Sequence, residues 1–156
     1  MPADFIYTEA KNRILTNTLN ITTATLKMML VKPSYLPNQE HIFIANDAAH
    51  PANHEISGTG YIPGFAGSGR KLLVTKHLVK DILAHRMRFI FDNIDWLGLS
   101  IPSQTIGGCI IVLETGISDA TSLLIMFRNS GGFTQPDPGG QSFRITVNQT
   151  NGFWAF

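Results

Sequence analysis

From Thr25 to the C-terminus the chain is cut into short runs rich in β-branched, aromatic and other apolar residues, each closed off by Gly, Pro, Asn or Asp. Runs of this length read as strands, and this punctuation marks where strands turn. A chain divided in this way buries its side chains by pairing strands into sheets and packing the sheets together. At 156 residues it is the size of one domain, able to remove roughly 70% of its unfolded surface from water. The expected architecture is a single all-β domain over residues 1–156, an antiparallel β-sandwich of jelly-roll type with one short N-terminal helix.

The runs differ in a way that places them. Thr25–Lys32 puts Leu26, Met28 and Leu30 on one face and ends at Pro33 and the segment Tyr35-Leu36-Pro37-Asn38. His41–Ala45 is a second short run. Arg86–Asp92 alternates Met87, Phe89 and Phe91 against Arg86 and Arg88, the pattern of a half-buried strand, and Phe143–Val147 alternates too. Ile110–Leu113 and Leu123–Phe127 are apolar throughout, so both of their faces must be dry. Either the chain covers both faces itself or the outer face meets another subunit, and the second reading is favoured. Leu72–His85 fits a helix through Val74, Leu78, Ile82 and Leu83 and a strand through Leu72–Thr75, and stays open. Ala10, Ile14, Leu15 and Leu19 recur near helical spacing and predict a helix over Thr8–Leu19.

Charge narrows the partners. With 12 basic and 11 acidic residues the formal net charge is +1, which offers no polycationic surface for nucleic acid. Charged residues are 15% of the chain against about 25% in ordinary globular proteins, as expected of a subunit with extensive protein contacts. Met1–Thr16 carries Asp4, Glu9, Lys11 and Arg13, so it lacks the unbroken apolar stretch of a signal peptide or membrane span. A product of the cytoplasm is expected, and the sequons at Asn20 and Asn148 then carry no weight. Cys109 sits in an apolar run and reads as a small buried hydrophobe.

No motif commits the chain to catalysis. Gly64-Phe65-Ala66-Gly67-Ser68-Gly69-Arg70-Lys71 has glycines at phosphate-loop spacing, but Arg70 and Lys71 stand where Lys and Ser or Thr belong, and a strand-like run follows where phosphate needs a helix. Asp47, His50, His54 and Glu55, with His41 before them, are dense in metal-ligating atoms. Pro51 argues against the helical spacing that would aim His50 and His54 at one zinc ion, so a solvated loop is expected. No serine lies in a Gly-x-Ser-x-Gly turn. Glu55, Asp92, Asp95 and Glu114 could pair as carboxylates, yet nothing in their spacing brings two of them together. The expectation is no catalytic residue, no metal and no cofactor. The closing Phe153-Trp154-Ala155-Phe156 would alternate, turning Phe153 and Ala155 to one face and Trp154 and Phe156 to the other, with one face in need of a partner.

Three blocks resemble small structural proteins of tailed phages and prophages. They are Thr25–Val31 followed by Ser34-Tyr35-Leu36-Pro37-Asn38 and His41; Glu55-Ile56-Ser57-Gly58-Thr59-Gly60-Tyr61 running on to Gly69-Arg70-Lys71-Leu72; and Phe91–Trp96 followed by Thr105–Val112 and Glu114-Thr115-Gly116. The likeness spans roughly residues 8–154. It departs from the family pattern between Leu78 and Arg88, where charged and apolar residues replace a simple polar strand and an altered partner-contacting loop could sit. The resemblance implies a virion protein, made in the host cytoplasm and lying on the capsid surface as a cement or decoration protein, and it carries over no catalytic residue. Its partners would be the major capsid protein and copies of itself, a trimer at a three-fold position fitting that geometry, with no direct nucleic acid and no membrane. Candidate contact residues are Tyr61, Phe65 and Arg70 in the glycine-rich loop, His50 and His54, and Trp154 and Phe156. A tail, head-tail adaptor or fibre-attachment protein would use the same fold. A carbohydrate-binding module or metal-dependent enzyme is the remaining alternative.

Overall fold

In the computed structural model, residues 4–130 and 133–155 are described. In chain order the elements begin with β1 (Asp4–Ile6), α1 (Thr8–Leu15), β2 (Leu26–Val31) and β3 (Lys71–Leu72). There follow β4 (His77–Asp81), β5 (Arg86–Ile90), β6 (Ile94–Leu99), β7 (Thr105–Ile106), β8 (Gly108–Leu113) and β9 (Leu123–Arg128). The last are β10 (Gln135–Pro136), β11 (Gln141–Ile145) and β12 (Trp154–Ala155). The described residues are mostly β, with antiparallel sheets and one α-helix.

The main sheet has the order β1-β9-β8-β2-β3. Its centre is the pairing of the apolar runs, with Leu26 opposite Leu113 and Met29 opposite Ile110 across β2 and β8, and Ile110 opposite Phe127 across β8 and β9. Loop segments continue its edges. Leu124 donates its N–H to Ile42 and Ile44 donates to Ser122, extending the edge that β1 begins, while Lys32 donates to His54 and Ile56 to Leu30 along the outer side of β2. Smaller sheets β12-β5-β4, β11-β6 and β10-β7 complete the fold. Buried apolar side chains form one contiguous cluster from Phe5 to Phe153, with Trp96, Tyr7, Tyr61, Phe89 and Phe91 among its largest members.

Several expectations are corrected. The runs Ile110–Val112 and Leu123–Phe127 are buried within this one chain, so their dry outer faces need no second subunit. His41–Ala45 forms no strand of its own and contributes a single bridge, Phe43 to Leu123, because its backbone serves as a short edge extension. Leu72–His85 contains no helix: Leu72 ends β3, His77–Asp81 is β4, and β4 and β5 make a hairpin whose turn is closed by Ala84 donating to the Asp81 carboxylate, with His85 at a positive φ of 51°. The helix stops at Leu15, four residues earlier than its apolar spacing suggests, because Asn17 takes φ 56° and turns the chain toward buried Leu19.

Candidate functional site

The segment Ser57–Arg70 is the most elaborately held loop in the protein. It is pinned at backbone level to Ser100, just past the end of β6: Ser100 donates its N–H to Thr59, and the approach is so close that a Cβ on Gly58 would lie 2.1 Å from the Ser100 carbonyl oxygen. Gly58 and Tyr61 exchange backbone hydrogen bonds, with Gly60 at φ 79° making the turn between them. Further along, Gly69 donates to the Ile62 carbonyl, and the buried Trp96 indole donates to the Gly69 carbonyl at 2.6 Å.

From beneath, the loop is clamped by buried charge. The Arg70 side chain has 0% exposure and that of Glu55 has 2%. Arg70 Nε and one Nη2 hydrogen grip the two Glu55 oxygens at 2.9 and 2.7 Å. The remaining donors reach Glu114 Oε1 at 3.1 Å and both Asp119 oxygens at 2.5 and 2.8 Å. All five guanidinium N–H groups therefore meet a carboxylate, the arrangement a planar fork favours. Glu55 also accepts from Tyr61 Oη at 2.9 Å and from the Gly64 N–H at 3.0 Å. Glu114 accepts from Lys27 Nζ at 2.5 Å and from the Ala66 N–H. Burial works against the Arg70 cation, but hydrogen bonds to Asp119 and Glu55 more than offset it and hold its pKa above the ordinary value. Burial first, and then the Glu55 charge, raises the Tyr61 pKa, so the phenol stays a donor.

This geometry relocates several candidate residues. Tyr61 and Arg70 do not reach out to a partner; they are buried and support the loop from inside, which corrects the expectation of direct contact. Phe65 does lie at the surface, as does Ile62, which is 62% exposed. Leu97 on β6, 73% exposed, and Ile117 in the loop after β8, 89% exposed, are further large apolar residues at the surface. The result is a rigid platform with apolar side chains projecting from it. The phosphate-loop likeness has no structural counterpart, since strand β3 follows Arg70 and the guanidinium is committed to carboxylates. Glu55 and Glu114, whose spacing gave no reason for a meeting, are brought onto one cation. Asp119 and Lys27, the other members of the cluster, carried no sequence signal as site residues.

The histidine segment is an exposed loop over residues 46–49, as expected, but His50 is buried and a short helical turn follows it. Pro51 opens a 3-10 turn, Pro51–His54, because a residue without an N–H is tolerated at the first position of a helical turn. His50 is buried, its Nδ1 2.8 Å from Asp47 Oδ1, and its ring stacks on His41 with centroids 4.0 Å apart. His54, half-buried, turns the other way, with Nδ1 3.0 Å from Ser34 Oγ and Nε2 3.2 Å from the Ala48 carbonyl. Among the described residues no group of three or more His, Cys, Asp or Glu is arranged to hold a metal ion. At the C-terminus Phe153 is buried beneath the Arg128 guanidinium, 4.8 Å from its ring centroid, and Trp154 is half-buried. Trp154 lines an apolar groove of about 520 Å³ with Phe5, Ile6, Ile14 and Leu15. Phe156 lies outside the described residues.

Comparison of the chain with family models, with curated proteins and with solved structures gives no match.

Proposed function

We propose that this chain is a structural protein of a phage particle, a cement protein that stabilises the head shell by bridging capsid subunits and that acts by binding alone. The observation that carries the reading is the clamped loop: a surface segment whose backbone is fixed by buried charge and which carries the exposed apolar side chains of Ile62 and Phe65. Apolar side chains on a pre-ordered backbone lose little conformational freedom on docking, so more of their burial appears as affinity. Many copies repeated around a shell multiply a modest contact, and self-association would add to it. The three sequence blocks behind the phage resemblance supply the clamp apart from Asp119, Lys27 from the first, Glu55, Tyr61 and Arg70 from the second, and Glu114 from the third.

The test is to add purified protein to mature shells lacking it, image them by cryo-electron microscopy and measure shell melting. Ordered density at symmetry positions and a raised shell melting temperature are expected, and both are lost in an Ile62→Asp/Phe65→Asp variant of unchanged fold. Protein that leaves shells bare, or binds equally well with both residues replaced, refutes the reading and moves the assignment to the tail or its adaptor.

A further inference from the structure

Strand β4 is the outer strand of the sheet β12-β5-β4, and among the described residues no strand pairs with its free side. Large apolar side chains gather along this edge instead of avoiding it. Val74, Leu78 and Ile82 are exposed, and Leu83, at the hairpin tip, is 95% exposed. An edge strand flanked by apolar side chains is a template for another strand. We propose that the free edge of β4 pairs with the same edge of a second copy of this chain across a two-fold axis, joining two three-stranded sheets into one continuous antiparallel sheet.

The charges along β4 select a second copy and fix the register. A two-fold axis that yields one continuous sheet stands perpendicular to it and keeps every side chain on its own face. A residue must then lie opposite its own copy, because neighbouring residues point to opposite faces. Three such registers overlap most of His77–Asp81. Centring on Lys80 sets the two Lys80 ammonium groups against each other, and centring on Leu78 sets Lys76 against Lys80 twice. Like charges directly opposite are destabilising. Centring on Val79 removes both clashes and places His77 opposite Asp81 of the second copy, twice by symmetry. Asp81 is already oriented at this face by Arg86 at 3.3 Å and Arg88 at 3.8 Å. In the same register Leu78 lies opposite the methylene stem of Lys80, and each hairpin tip, Ile82 and Leu83, extends over Val74–Lys76 of the other copy. The exposed apolar side chains of this edge are thereby covered by one another. The lysines that would guard an edge against indiscriminate pairing here reject the wrong registers and leave one.

Sedimentation of the full chain, without shells, measures the association. Single cysteine substitutions read the register, since Cys109 is buried. Val79→Cys places two thiols opposite each other, with Cβ atoms about 4.5–5.5 Å apart, and is expected to form a disulfide-linked dimer on mild oxidation. His77→Cys, whose copies lie four positions apart along the strand, is expected not to. His77→Asp replaces two attractive pairs with two repulsive ones and should weaken the dimer about tenfold or more, while His77→Lys keeps it. His77 is exposed and Val79 half-buried against the core, so an unchanged melting curve for each monomeric variant is the check that the fold is intact. A protein that stays monomeric at its highest soluble concentration overturns the proposal. So does equal cross-linking from positions 77 and 79, or a dimer indifferent to His77→Asp. A chain that decorates shells as a monomer sinks this inference and leaves the shell reading standing.

Discussion

Replacing Arg70 with Met is the sharpest test of how the loop platform is held. The substitution conserves much of the side chain's bulk but leaves the Glu55 carboxylate, with 2% side-chain exposure, facing only Tyr61 Oη and the Gly64 N–H. Asp119 at 14% exposure recovers some water, and Glu114 keeps Lys27. Removing one member of a buried ion pair costs roughly 3–5 kcal/mol, because the abandoned charge stays desolvated. For a domain of this size each kcal/mol is worth about 2–4 °C, so the melting temperature should fall by about 6–20 °C. Urea unfolding followed by Trp fluorescence suits the measurement, since Trp96 is buried and bonds directly to Gly69 beside the clamp. The double variant Arg70→Met/Glu55→Met removes both charges and should be more stable than the sum of the single losses implies. A loss below about 1 kcal/mol in the single variant, or strict additivity in the double, would refute the claim that buried charge clamps this loop.

Gly69→Ala should destabilise by about 1–3 kcal/mol in the same unfolding assay, because the new Cβ would sit 2.3 Å from the Tyr61 ring, itself packed with no exposure. Cys109 is fully buried and burial raises its thiol pKa, so it should resist a thiol reagent in the native protein and react at a rate set by unfolding; rapid native-state labelling would contradict the packing. Burial, and then the neighbouring His50, lowers the His41 pKa below its ordinary value of 6.5, with Asp47 partly opposing them. The folded state therefore favours the neutral ring. Its contribution is complete above about pH 6.5 and is lost as pH falls through the depressed folded value, so His41→Phe should flatten the acid side of the stability profile.

What could be read from the sequence was what depends on neighbours along the chain. The helix start at Thr8, the strand Leu26–Val31 and the alternation of Met87, Phe89 and Phe91 follow from local periodicity, and the central strands around Ile110–Leu113 and Leu123–Phe127 from continuous apolar runs. The second half of Leu72–His85 resisted because Leu78, Ile82 and Leu83 satisfy a helical period while lying on a hairpin whose edge is exposed. No local pattern reports that exposure. The continuous apolar runs misled for a related reason. They state that both faces are dry, but not whose side chains dry them, and here the same chain supplies the cover.

The buried clamp marks the deeper limit. Glu55 and Arg70 are fifteen positions apart, and Glu114 and Asp119 join Arg70 across 44 and 49 positions, so no spacing rule connects them before the sheet exists. A charged residue near a glycine-rich stretch looks like exposed chemistry, and Arg70 and Tyr61 were candidates for partner contact on that ground. Burial reverses their role, since a guanidinium whose five donors are all engaged has none left for a ligand. Under the proposed reading contact passes instead to the exposed Ile62 and Phe65, apolar residues that site-reading by chemistry tends to overlook. Substitutions at the clamp should therefore reduce stability and binding together. Substitutions at Ile62 and Phe65 should reduce binding alone, and that separation distinguishes a supporting network from a contact surface.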